Sequence, residues 1–180
     1  PWDRAAVPPN HGIIGLGPVM LTVSELGPTA NLLTEVMEYR RIGEYSLDED
    51  TVVVFETGEG GNGAEIHIKE SHDLPKQRPG RGSVHHVAFR VENEDELRNW
   101  VRKLKELRIA SSGFVERYYF KSLYFREPNG ILFELATDGP GFEADEPFEQ
   151  LGEKLALPPY IEDSREEIEA KITPLDTKSE

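Results

Sequence analysis

Between Ser83 and Asp138 the hydrophobic and polar positions change period twice. SVHHVAFRV alternates, with Val87, Phe89 and Val91 on one side and His86, Ala88 and Arg90 on the other, which predicts a strand. EDELRNWVRKLKEL follows, and Leu97, Trp100, Val101, Leu104 and Leu107 form one helical stripe. GFVERYYF, KSLYFRE and ILFELAT then read as three more strands. In the last, Ile131, Phe133 and Leu135 share a face and Leu132, Glu134 and Ala136 share the opposite one. Pro128-Asn129-Gly130 supplies a hairpin turn between the final pair.

The same order occurs once before. LGPVMLTV predicts a strand, and Leu32, Leu33, Val36 and Met37 predict a helix opening near Pro28-Thr29 and ending near Tyr39. Strands around 40–47, in TVVVFET and in AEIHIKE complete the unit. Pro18 stands 68 positions before His86, and His67 stands 67 before Glu134, so the chain holds two copies of one β-α-β-β-β unit. The expected fold is α+β: concave mixed sheets with helices outside, the first module over 13–72 and the second over 83–138. Residues 1–12, with Pro1, Pro8 and Pro9, read as a linker. Residues 139–180 read as a short helical tail, with one helix near 145–156 and another from Ser164, where Ser164-x-x-Glu167 has the capping-box spacing.

Composition narrows the class. The 180 residues suffice for a real core, and no apolar run approaches a membrane span. PWDRAAVPPN has no basic stretch followed by an apolar one, so it does not read as a secretory leader. The net charge of −14 argues against nucleic acid, since phosphate binding needs clustered Lys and Arg. The absence of cysteine removes disulfides and thiolate metal sites and fits a cytoplasmic setting. Gly58-x-Gly60-x-x-Gly63 matches a dinucleotide fingerprint in letters only. It leads into a strand, with no helix N-terminus to receive a phosphate.

The candidate chemistry sits on the faces opposite the aliphatic ones. Those carry Glu65, His67 and Lys69; His86 and Arg90; Ser122, Tyr124 and Arg126; and Glu134. Arg117 and Tyr119 share one parity on the strand before. Such groups are costly to cover unless they pair or bind a ligand. His86 and Glu134 fall on the first and last strands of their unit, which can be neighbours in a curled sheet. Imidazole and carboxylate suit Fe(II), Mn(II), Zn(II) or Ni(II), and a buried ion pair would use the same two residues.

The repeat, with HHVAFRV and FKSLYFREPNGILFELATD in its second copy, resembles the vicinal oxygen chelate superfamily of glyoxalase I, bleomycin-resistance proteins and extradiol dioxygenases. It is most similar to the hydroquinone-type ring-cleaving dioxygenases, a likeness extending into GPGFEADEP. The resemblance implies that His86 and Glu134 bind iron, that Tyr124 is an acid/base or hydrogen-bond donor, and that Arg117 holds substrate oxygens. It implies an Fe(II) enzyme acting on a hydroquinone or catechol and O₂. A glyoxalase-like isomerase or lyase using Zn or Ni, and a metal-free ligand-binding module, are the alternatives. Iron in such enzymes has two histidines and one carboxylate, and the slot that often supplies the other histidine is Pro18 here. The third ligand is then expected from an N-terminal half outside this chain, this being the C-terminal half of a four-module protein, or from His67. Self-association into a homo-oligomer is the expectation for the exposed strand edges.

Overall fold

The computed structural model of the chain describes residues 5–73, 75 and 78–174. The first four residues of the expected linker and the last six of the tail lie outside the described residues. The chain divides into two compact units. One comprises residues 1–85 with 126–131, and the other 86–125 with 132–180.

In the first unit β1 (Val19–Val23), α1 (Leu26–Asn31), β2 (Arg40–Leu47), β3 (Asp50–Glu56) and β4 (Glu65–Glu70) follow in that order. The sheet order is β1-β4-β3-β2. The chain's first and last strands therefore lie side by side and parallel, while the other neighbours are antiparallel. Leu21, Val23, Val53, Phe55, Ile66 and Ile68 are buried, as are Leu32, Leu33 and Met37 of the helical segment. α1 opens two residues earlier than the Pro28 signal suggested and passes into a π-helical turn over Leu32–Val36, closed by Met37 N–H donating to Leu32 C=O at 3.0 Å. Glu38 at φ 62° ends it. The widened turn brings Leu32, Leu33 and Met37 into the core together.

The second unit repeats the plan with β5 (Val87–Val91), α2 (Glu94–Glu106), β6 (Val115–Glu116), β7 (Lys121–Arg126) and β8 (Leu132–Thr137). The order is β5-β8-β7-β6, with β5 and β8 parallel. Met20 pairs with His67 as Ala88 pairs with Glu134, so the offsets read in the sequence are offsets of register. α2 starts at Asn93, whose side chain accepts from Glu96 N–H, and buries Leu97 and Leu104. Phe133 packs against Phe89 and Phe125 at 4.9 and 5.8 Å between ring centroids.

The α+β repeat is as expected, but three local expectations are corrected. The strand expected over 113–120 is two residues long, because Gly113 and Tyr118 both adopt left-handed backbone, at φ 69° and 70°. No helix spans 145–156; short 3-10 turns at Phe142–Ala144 and Phe148–Gln150 take its place, interrupted by Pro147. α3 (Arg165–Glu169) does begin at Ser164, yet the Ser164 side chain makes no capping bond, because a 3-10 segment over Pro159–Ser164 runs straight into it.

The turn between β7 and β8 does more than reverse the chain. Asn129 Oδ1 accepts from Ser24 Oγ at 2.8 Å and Glu25 N–H at 3.0 Å, and its Nδ2 donates to Glu25 C=O and Thr29 Oγ1. It caps the start of α1, where Glu25 offers no side-chain cap of its own. Thr29 in turn donates to Glu127, a carboxylate only 2 % exposed that also accepts from Ile131 N–H. Asn129→Ala would leave these partners unpaired, so the urea midpoint is expected to fall by the equivalent of about 1–3 kcal/mol. Asn129→Asp, which keeps the acceptor and loses the donors, should lie between.

Candidate functional site

Four of the predicted residues meet in the second unit. Because Ala88 is in register with Glu134, His86, two residues before Ala88 on the same side, reaches the Glu134 carboxylate from the neighbouring strand. His86 stands just ahead of β5, not within it. Its Nε2 lies 2.7 Å from Glu134 Oε2. Glu134 is 3 % exposed, while the His86 side chain keeps 34 % of its surface open to solvent. Its ring meets the Tyr124 ring edge-on at 6.0 Å.

The other carboxylate oxygen is already occupied. Tyr124 donates its hydroxyl to Glu134 Oε1 at 2.6 Å, and the fully buried Ser122 hydroxyl donates to the same atom. Ser122 and Tyr124 reach Glu134 together because they are two apart on β7, hence on one face. Two hydrogen bonds to one oxygen fix the carboxylate rotamer and leave Oε2 facing the imidazole. Arg117 stands at the outer edge. Its Nε donates to Tyr124 Oη at 3.3 Å, and its guanidinium lies 5.1 Å from the Tyr124 ring centre.

The donor chemistry of the pair fits a divalent metal. One imidazole nitrogen and one anionic oxygen converge, and the carboxylate has the hydrogen-bonded support that metal-ligating carboxylates carry. The pair supplies two donors. Among the described residues no three His, Asp or Glu side chains gather as a complete site would need. His67 is engaged in its own unit, with Nε2 2.9 Å from Glu65 Oε2 and Nδ1 3.0 Å from Tyr45 Oη.

A cavity of about 300 Å³ opens beside Glu134 within the same unit. Ala88 and Ala136 line it next to Glu134, and Phe120, Tyr119 and Phe142 add aromatic surface. Tyr119 and the 141–145 segment are tied together. Gly141 N–H donates to Tyr119 C=O at 2.8 Å, and Tyr119 Oη donates to Asp145 at 2.7 Å. That bond to Asp145 is the main reason the Tyr119 hydroxyl is pushed up to about 12.

Ser122 is one of the polar groups on the face opposite the aliphatic one, with no role assigned by its spacing. Its parity with Tyr124 was the available signal. Tyr119 was expected on the parity of Arg117; the turn at Tyr118 breaks that parity and sends Tyr119 to Asp145 and Phe142. Phe142 and Asp145 lie in GPGFEADEP, a stretch within the resemblance that gave neither of them a role. Arg90 is engaged by Asp138 at 2.6 Å.

Residues 15–135 match the model of the Glyoxalase/Bleomycin resistance protein/Dioxygenase superfamily. The chain is 52% identical over 176 residues to a Bacillus subtilis protein named "Putative ring-cleaving dioxygenase MhqA", covering 97% of this chain and 56% of that protein. It is 27% identical to the chlorohydroquinone/hydroquinone 1,2-dioxygenase of Sphingobium indicum, over 93% of this chain and 52% of that protein. A crystal structure of a Bacillus subtilis protein described as a putative dioxygenase superposes with a TM-score of 0.86 at 34% identity, covering 99% of this chain and 56% of that one. The chain thus spans about half the length of the curated relatives it matches. Among the described residues no helix is long and apolar enough to cross a membrane.

Proposed function

The chain belongs to the Glyoxalase/Bleomycin resistance protein/Dioxygenase superfamily, and from that premise we propose that it carries the metal-binding half of an Fe(II)-dependent ring-cleaving dioxygenase acting on a hydroquinone or catechol. The observation that carries the reading is the convergence of His86 Nε2 and Tyr124 Oη on the two oxygens of one buried carboxylate, Glu134. A simple buried ion pair would need neither the tyrosine nor the arginine beyond it. The relatives named for ring cleavage and for hydroquinone point the same way.

His86 and Glu134 would hold the metal, with the third ligand supplied from outside this chain. When bound, the metal would supply a Lewis-acidic centre that favours the phenolate form of the substrate and activates O₂. Ser122 and Tyr124 keep the carboxylate in one orientation, so the site is set before the substrate arrives. Arg117 places a cation at the rim, where it would draw in and hold a phenolic oxygen as negative charge develops. Tyr124 Oη sits between Arg117 and Glu134. It can give a hydrogen bond to a substrate oxygen as negative charge develops there, with the Arg117 guanidinium beside it. The aromatic cavity next to Glu134 would receive the ring.

A ring-cleaving dioxygenase consumes one O₂ per hydroquinone without releasing peroxide. An oxygen-electrode assay on anaerobically iron-loaded protein, extended upstream to the length of the relatives, tests this. Conversion of a 2-oxoaldehyde thiol adduct without oxygen uptake would favour an isomerase.

A further inference from the structure

We propose that Asn62 is a site of spontaneous covalent modification, cyclising onto the Gly63 nitrogen and hydrolysing to aspartate and isoaspartate. The chain's other Asn-Gly pair, Asn129-Gly130, is held unreactive by its role as the cap of α1.

The two pairs are alike in sequence. In each, the glycine has no Cβ to obstruct the approach of its backbone nitrogen to the asparagine side chain. The nitrogen attacks Cγ, the new N–Cγ bond closes a five-membered imide, and the bond from Cγ to Nδ2 breaks. The side-chain nitrogen leaves as ammonia, taking the proton of the glycine amide. Water then opens the imide at either carbonyl, giving aspartate or isoaspartate. Nothing is oxidised or reduced, and water is the only co-reactant. The reaction makes two demands. The carboxamide must be free to rotate, and the glycine nitrogen must be free to turn toward it.

Asn129 meets neither demand. Its Oδ1 accepts from Ser24 Oγ and Glu25 N–H, and its Nδ2 donates to Glu25 C=O and Thr29 Oγ1. Gly130 N–H is itself committed to Glu127 C=O at 2.8 Å. The pair reacts only while this network is open, so its rate is scaled down by the fraction of time spent open. Asn62 meets both. It lies with Gly63 in the exposed loop between β3 and β4, and among the described residues neither its carboxamide nor Gly63 N–H has a hydrogen-bond partner. The single 3-10 turn over Asn62–Ala64 is closed by one bond, from Ala64 N–H to Gly61 C=O at 2.8 Å. Opening it costs little at a loop tip. Conversion at Asn62 adds a carboxylate three residues before Glu65, whose Oε2 lies 2.9 Å from His67 Nε2. At Asn129 the same reaction would remove Nδ2, and with it both hydrogen bonds that this nitrogen donates to the start of α1.

Peptide mapping by mass spectrometry tests this on the full chain, held at physiological temperature and mildly alkaline pH, both folded and in denaturing urea. In the folded chain Asn62 is expected to convert at least about tenfold faster than Asn129. In urea the two rates should come within about threefold of each other, because the fold no longer shields either pair. Gly63→Ala supplies the control. Gly63 does not use left-handed backbone, and a Cβ there would come no nearer than 3.6 Å to Leu16 C=O, so alanine fits the folded loop. It should slow conversion at Asn62 by about tenfold or more and leave Asn129 unchanged. Four results would each overturn the proposal: no conversion at Asn62 in the folded chain, conversion of Asn129 as fast as that of Asn62, a rate at Asn62 indifferent to Gly63→Ala, or a gap between the two sites that persists in urea.

Discussion

Glu134→Gln is expected to remove tightly bound metal and oxygen consumption together while leaving the fold in place. Glu134 is the point on which the site converges. His86 meets one oxygen, and Tyr124 and Ser122 meet the other. Glutamine keeps the volume and one acceptor for the two hydroxyls, so the buried Ser122 need not lose its partner. What it loses is the charge. Removing an outer-shell partner of a metal ligand costs roughly 10–100-fold in affinity, and loss of the ligand itself should exceed that. Glu134→Ala should add a stability penalty of about 1–3 kcal/mol, because Ser122 would then be buried without an acceptor. The pair of variants separates the two effects. Anaerobic iron titration reads the affinity and urea unfolding reads the stability. Iron affinity in Glu134→Gln within a few-fold of the unaltered protein would show that this carboxylate is a structural partner of His86 and no ligand.

Tyr124→Phe is the second large effect. Phenylalanine retains the ring that Arg117 and His86 contact and deletes only the hydroxyl. If that hydroxyl hydrogen-bonds a substrate oxygen as charge develops there, kcat at saturating iron should fall by about a hundredfold or more, with KM changed far less. The iron must be saturating because Glu134 also loses a hydrogen bond in this variant. Arg117→Met should show the opposite emphasis. The rim cation contributes to holding the substrate anion, so KM rises first. A Tyr124→Phe enzyme with unchanged kcat would reduce Tyr124 to an orienting partner of Glu134.

The fold was readable in the sequence because its two modules repeat with a nearly constant offset, and strict alternation gave each strand its faces. The same alternation placed Ser122, Tyr124 and Glu134 on one side of neighbouring strands. The structure adds that these side chains and His86 reach one another, which parity alone does not establish. Where alternation ends, so does legibility. A left-handed residue at Tyr118 undoes the parity of the 113–120 stretch and turns Tyr119 to a different partner, and nothing in the periodicity marks a tyrosine for that conformation. The 3-10 turns after Gly141 have no helical stripe to announce them, so periodicity does not place Phe142 at the cavity. Asn129 read as an ordinary hairpin asparagine. Its use as the cap of α1, more than a hundred residues earlier in the chain, is a tertiary contact with no local signature.

Elemental analysis of protein purified without oxygen, for the unaltered chain, His86→Ala and Glu134→Gln, shows whether His86 and Glu134 hold a divalent metal. The analysis is repeated on a version extended upstream to the length of the relatives. Iron is expected near one equivalent in the extended protein, at little or none in either variant of it, and with weaker retention by this chain alone. A full equivalent of metal in both variants, or none in the extended protein after iron loading, would contradict a metal held by His86 and Glu134.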